Sequence, residues 1–263
     1  MNCASWLDRP LTVAGRAVVR TPAGVEGRLV YLDRDLLTIP SLAIHQQRDV
    51  NRGHDYNAQK DMQPLYALGG GPSLTVLLAE ELGVDAGDIL ATDLVLCPRQ
   101  APVRIGPEGE FFQAPRIDDL GCAYATLEGF LSAKGTERFG LLYCLFDNEE
   151  VGSGTRQGAM SSFLPDVLTR IGEALGLSAQ ARRQALAGSL LLSADNGHAV
   201  HPNFPEKADP ANRVYPNGGV VIKYSANQKY TTTGLTAGLF QAICQKAGVP
   251  VPVSYTHLRA HET

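Results

Sequence analysis

Three carboxylates follow an all-apolar run in residues 140–153, GLLYCLFDNEEVGS. Asp147, Glu149 and Glu150 repel one another unless something positive sits among them, and a metal ion is the economical explanation. The six residues 141–146 leave no polar face, which predicts a strand buried on both sides in a parallel sheet. The carboxyl end of such a strand is where open α/β sheets bind ligands. Asp118, at the start of a helical stretch, and Asp195, just after SLLLSA, occupy comparable element ends. Separate elements of one sheet bring such ends to a single crevice. A pair of divalent metals would take a bridging carboxylate, further carboxylates and imidazoles, and would hold water as hydroxide near neutral pH. An uncoordinated carboxylate beside that water is suited to general-base work. Any one of these acids alone reads as a helix cap or a solvated loop residue. The Glu149–Glu150 pair directly after an apolar strand reads as functional.

The segment SADNGHAVHPNF (193–204) adds His198 and His201 behind Asp195. Their spacing leaves metal or substrate contact and a hydrogen-bonded structural role both open. Lys223 is an unusual charge inside the apolar run GGVVIKYSA: it either snorkels or points into the crevice to pair with an anionic group. Gly69-Gly70-Gly71-Pro72 precedes a helix but lacks the Lys-Ser/Thr of a phosphate loop, so it reads as a plain turn.

The elements that must position these residues fall into two textures. Residues 11–20 and 27–39 are rich in Val, Leu and Thr between turn formers, and predict strands of a β-rich unit. Residues 73–84 carry apolar residues at helical spacing and stop at Gly83. Residues 45–64 read as a polar surface loop. From about residue 110 helices and strands alternate. Helices are expected over 118–133, within 160–176, over 178–188 and over 232–248, the last capped by Thr233. Strands are expected at 140–146, 189–195 and 218–226. The fold class is therefore α/β, a mixed sheet with flanking helices plus the β-rich unit. The expected divisions are 1–105, 106–253 and a tail over 254–263.

With 263 residues and 44% hydrophobic content, the chain is long enough for one large or two smaller domains. A net charge of −4 gives no reason to expect nucleic acid or an anionic membrane as partner. No stretch approaches a membrane span and the N-terminus lacks a signal-peptide core. Five scattered cysteines, with no C-x-x-C, read as reduced thiols of a cytoplasmic protein.

DNEEVGS, APRIDDL, SADNGHAVHPNFPEK and NGGVVIKYSANQKY, in this order, resemble the aspartyl aminopeptidase family of zinc metallopeptidases. WLDRPLTVAGRAVV and LTIPSLAIHQQRDVN resemble that family's inserted dimerisation β-domain, so the resemblance runs from about Trp6 to Val253. It implies a centre of two zinc ions bridged by Asp118, with Glu150 on one ion and Asp195 on the other. Glu149 would be the general base. His45, His198, Lys223 and Tyr230 would contact substrate, His45 at a neighbouring subunit's site. Lys223 would select peptides with an N-terminal Asp or Glu. A homo-oligomer is implied, dimer-based and dodecameric in the family. Two zinc-binding histidines of the family have no counterpart in this chain, one expected upstream and one downstream. Weak metallation and little activity are the expectation for these 263 residues, as an incomplete chain. The alternatives are a non-catalytic relative or fragment retaining only the assembly role, and a hydrolase of a different amide. The tail SYTHLRAHET resembles a translated cloning sequence, so His257, His261 and Glu262 are read as a non-native terminus rather than as ligands.

Overall fold

The computed structural model describes residues 2–136, 139–226 and 228–254. Residues 255–263, with His257, His261 and Glu262, lie outside the described residues. Two compact units divide the chain, Met1–Pro115 and Arg116–Thr263.

The first unit is built on a hairpin. Strand β1 (Leu11–Thr21) pairs antiparallel with β2 (Gly24–Tyr31), and Thr21 faces Gly24 across the tight turn. Helix α1 (Leu74–Leu82) follows the loop that carries His45. Strand β3 (Ile89–Pro98) then adds antiparallel to the other edge of β1, giving the order β2-β1-β3. Gly15 lies where β3 passes closest: its φ is +149°, and a Cβ there would sit 2.0 Å from the Asp93 carbonyl oxygen. Alternation along β1 sends Val13, Ala17 and Val19 inward, where Val13, Val30 and Leu32 pack against Leu77 and Leu78 of α1. The helix limits follow their sequence signals. Ser73 Oγ accepts from the Val76 N–H, and Gly83 closes the helix in the left-handed conformation. A short hairpin, β4 (Val103–Ile105) with β5 (Phe111–Gln113), completes the unit.

The second unit is mainly helical. Helices α2 (Ile117–Ser132), α3 (Phe163–Ala174) and α4 (Ala179–Ala187) are followed by β6 (Ile222–Lys223), α5 (Gly234–Ala247) and β7 (Val253–Ser254). Strands β6 and β7 pair in parallel, Ile222 opposite Val253. Thr233 caps α5 as expected, in a reciprocal capping box with Thr236. The fold is thus mixed α/β, with antiparallel sheets in the first unit, a short parallel pair in the second, and flanking helices.

Three strand expectations need correction. Residues 140–146 and 189–195 form no ladder among the described residues, and the strand expected over 218–226 is reduced to β6. Leu141, Leu142 and Leu145 are more than half exposed rather than buried. The physical reason is that a parallel strand has no local partner: its ladder and its cover come from segments distant in sequence. Segment 140–146 contacts two helices, α3 through the Phe146 and Phe163 rings, 6.5 Å apart, and α2 through Tyr143. The Tyr143 hydroxyl donates to the Ala123 carbonyl at 2.9 Å, and its ring lies 5.9 Å from that of Phe130.

Candidate metal centre

Helix α2 starts abruptly, from Arg116 in the left-handed conformation (φ 62°). Asp118 and Asp119 occupy its first turn, where the helix dipole favours negative charge. The second contribution is the loop after residue 146. Asn148 also takes a left-handed backbone (φ 60°), its carbonyl accepts from the Gly152 N–H at 2.8 Å, and its amide donates to Thr155 Oγ1 at 3.2 Å. The Asp147 N–H donates to the Gln157 carbonyl at 3.2 Å and closes the loop. Glu149 and Glu150 are thereby carried on a tight turn rather than at the end of a sheet strand.

Asp119, Glu149 and Glu150 come together: one carboxylate oxygen from each lies within 4.8 Å of the others, and all three residues are exposed. Glu149 is held above the ordinary carboxylate range, first by loss of hydration and then by the charges of Glu150, Asp119, Asp195 and Asp118. Five acids from three segments therefore bear on one place. Such an arrangement favours a divalent cation.

Asp195 is engaged otherwise. Its Oδ2 accepts from Lys223 Nζ at 2.5 Å, and the same ammonium donates to the Asn196 carbonyl at 2.7 Å. Lys223 Nζ also lies 5.9 Å from the centre of the half-buried Tyr230 ring, a cation–π contact. Of the two alternatives for Lys223, snorkelling or pairing with an anionic group, the structure shows a pair, and its partner is the chain's own Asp195. His201 follows the structural alternative: its Nδ1 accepts from the Asn203 N–H at 3.1 Å and its ring packs on Phe204. His198 is exposed and outside the acidic cluster, and His45 sits exposed in a turn of the first unit.

Of the predicted site residues, Glu149 and Glu150 are brought together, while Asp118 and Asp195 act on Glu149 through their charge. Asp119 and Asn196 were not singled out in the sequence. The DD pair at the helix start was the available signal for Asp119; nothing in the type or spacing of Asn196 marked it. A groove of about 750 Å³ in the first unit is lined by Arg20, Arg28, Glu80 and Asp85, among others, and by none of the predicted site residues.

Charge and spacing fit a divalent cation. Zinc fits only in part, because its sites draw on imidazole or thiolate and no histidine joins the cluster among the described residues.

Residues 2–262 match the family described as aminopeptidase I zinc metalloprotease (M18). A Clostridium acetobutylicum protein named "Probable M18 family aminopeptidase 2" is 41% identical over 254 residues, covering 94% of this chain and 58% of that protein. An aspartyl aminopeptidase of Dictyostelium discoideum is 35% identical over 293 residues, covering 94% and 60%. Among solved structures, a complex of Ape4 and Nbr1 superposes with a TM-score of 0.86 at 33% identity, covering 99% of this chain and 54% of the other. An S. cerevisiae mApe1 dodecamer gives a TM-score of 0.76 at 26% identity, covering 95% and 58%. The chain thus spans little more than half the length of these relatives.

Proposed function

This chain belongs to the M18 family of zinc metalloproteases, and from that premise we propose that its acidic cluster is the metal-binding part of an aminopeptidase centre. The observation that carries the reading is the meeting of Asp119, Glu149 and Glu150 within 4.8 Å, with Asp118 and Asp195 acting on Glu149. Glu150 and Asp195 would ligate metal. The bridging role has two neighbouring claimants: the resemblance supports Asp118, and the geometry supports Asp119. A bound zinc would polarise the scissile carbonyl and lower the pKa of a water. Glu149 would take the proton from that water and pass it to the departing amine, and its elevated basicity suits that task.

The substrate would be a peptide with an N-terminal Asp or Glu. Support comes from Lys223, whose ammonium already holds a carboxylate at 2.5 Å in the Asp195 pair, and from the likeness to a protein named aspartyl aminopeptidase. His198 and Tyr230 would help hold the peptide, and His45 would serve a neighbouring subunit. With oxygen donors alone, zinc would be held weakly and turnover would be slow in these 263 residues. Zinc content after dialysis and hydrolysis of Asp-, Lys- and Leu-peptides test this. Little zinc and little turnover are expected; stoichiometric zinc with efficient turnover would contradict it.

A second reading, assembly without catalysis, is favoured by one observation. On the outer face of the first unit's sheet, Val25, Leu29 and Tyr31 of β2 and Val95 of β3 are exposed, Tyr31 and Val95 in register on either side of Ala14, a patch suited to a subunit contact. A homo-oligomer would follow, and the likeness to a dodecameric mApe1 supports it. Among the described residues no helix is long and apolar enough to cross a membrane. The scattered thiols suit the reducing cytoplasm.

A further inference from the structure

We propose that Asn196 and Gly121 form a clasp that sets Asp195 against the acidic first turn of α2. This inference rests on the reading of the acids as a cation centre. Asn196 is half-buried, and the potential of its side chain is largely spent on one helix. The amide nitrogen donates to the Ile117 carbonyl at 2.6 Å and to the Asp118 carbonyl at 2.8 Å. The amide oxygen accepts from the Cys122 thiol at 3.1 Å. Both donor hydrogens and the acceptor are therefore engaged within about one turn and a half of α2. From the other side, Lys223 Nζ binds the Asn196 carbonyl and the Asp195 carboxylate together. Residues 195 and 196 are thus fixed to the helix start and to β6.

Gly121 makes the approach possible. Glycine is the poorest helix former after proline, yet it stands in the second turn of α2. A Cβ at Gly121 would lie 3.0 Å from Asn196 Nδ2, tighter than an unstrained contact, with Ile117 Cγ2 a further 3.6 Å neighbour. Gly129, later in the same helix, is a matched contrast: a Cβ there meets nothing within 4 Å. Asn196 and Gly121 stand outside the carboxylate group of Asp119, Glu149 and Glu150. They are positioning residues, and they fix how far Asp195 lies from Asp118, which carries one of the carbonyls that Asn196 binds.

Two readouts on the full 263-residue chain test the clasp. The first is Mn²⁺ affinity by calorimetric titration. Asn196→Ala and Gly121→Ala should weaken it by about 10- to 100-fold, as outer-shell changes do, while Gly129→Ala leaves it unchanged and raises Tm. Asn196→Asp, which sets a carboxylate against two carbonyls, should weaken it further than Asn196→Ala. The second readout is the alkylation rate of Cys122, followed by peptide mass, without metal. Burial holds that thiol above its ordinary pKa, and releasing it from Asn196 should speed alkylation in Asn196→Ala and Gly121→Ala but not in Gly129→Ala. If the unaltered chain binds no Mn²⁺, the cation reading fails and the alkylation rates alone decide the clasp. Equal effects of Gly121→Ala and Gly129→Ala in both readouts would overturn it.

Discussion

The two units of this chain bury their apolar residues to very different extents. In the first, Leu11, Ala17 and Val19 are fully enclosed, and Ile39, Leu78 and Val13 nearly so. In the second, Leu191 is 81% exposed and Leu142 53%, and the buried apolar residues reduce to Val214, Ile222, Ala237 and Cys244 among those described. The difference follows from how each sheet is made. A local hairpin supplies one of the first unit's ladders, β3 closes the other edge of β1 from the far end of the unit, and α1 covers one face. Parallel strands such as the one expected at 140–146 draw ladder and cover from distant segments. The acidic cluster therefore lies in the unit with the thinner core, where residues 140–146 make side-chain contacts to α2 and α3 and no ladder among the described residues.

The sharpest way to break this comparison is to truncate matched leucines. Leu11→Ala should cost about 2–5 kcal/mol, because it opens a cavity in an enclosed site. Leu142→Ala should stay within about 0.5 kcal/mol, the range of surface changes. Urea unfolding of the two variants checks this; equal losses would mean that 140–146 is packed as tightly as β1. Next in size is the acidic cluster. Glu150→Gln should weaken divalent-cation affinity by more than the about 10- to 100-fold typical of outer-shell changes. Asp118→Asn and Asp119→Asn, measured the same way, decide which of the two neighbours ligates.

Protonation sharpens the contrast further. Glu149 has a raised pKa in the folded chain, so the folded state binds its proton more tightly than the unfolded one does. Its contribution to metal-free stability is favourable at low pH and is lost as pH rises through that raised value. Cation affinity runs the opposite way, full above that value and falling as protons compete below it. Thermal melts across pH 4–7, with and without Mn²⁺, should show the two trends. A modest effect should be shared by both units. Ser73→Ala and Thr233→Ala each remove a helix cap and should each cost about 1 kcal/mol, read as a shift in the urea midpoint.

Those caps also mark what was legible in the sequence. Ser73, Gly83 and Thr233 act within a few residues, so their helices stand where the pattern put them. The apolar alternation placed β1 over 11–20 but put the second strand over 27–39, whereas β2 runs from Gly24 to Tyr31 and pairs with β1 as a hairpin that the pattern did not announce. Strand β3 escaped notice because Ala91, Thr92 and Asp93 interrupt its apolar pattern, and its pairing with β1 spans most of the unit. The run 141–146 was legible as apolar but not as unpaired, since pairing depends on segments elsewhere. At the candidate centre, residue type pointed to Glu149, Glu150 and Asp195. The choice between Asp118 and Asp119 depends on how α2 leaves Arg116, whose left-handed backbone nothing in the motif announces.

The central claim, that acids from separate segments form one cation site, is tested most directly by titrating the 263-residue chain with Mn²⁺ and Zn²⁺ beside Glu150→Gln. A saturable site in the unaltered chain, lost in Glu150→Gln and kept in His198→Ala, is the expected result. Equal binding by the unaltered chain and Glu150→Gln, or loss of the site only in His198→Ala, would contradict it.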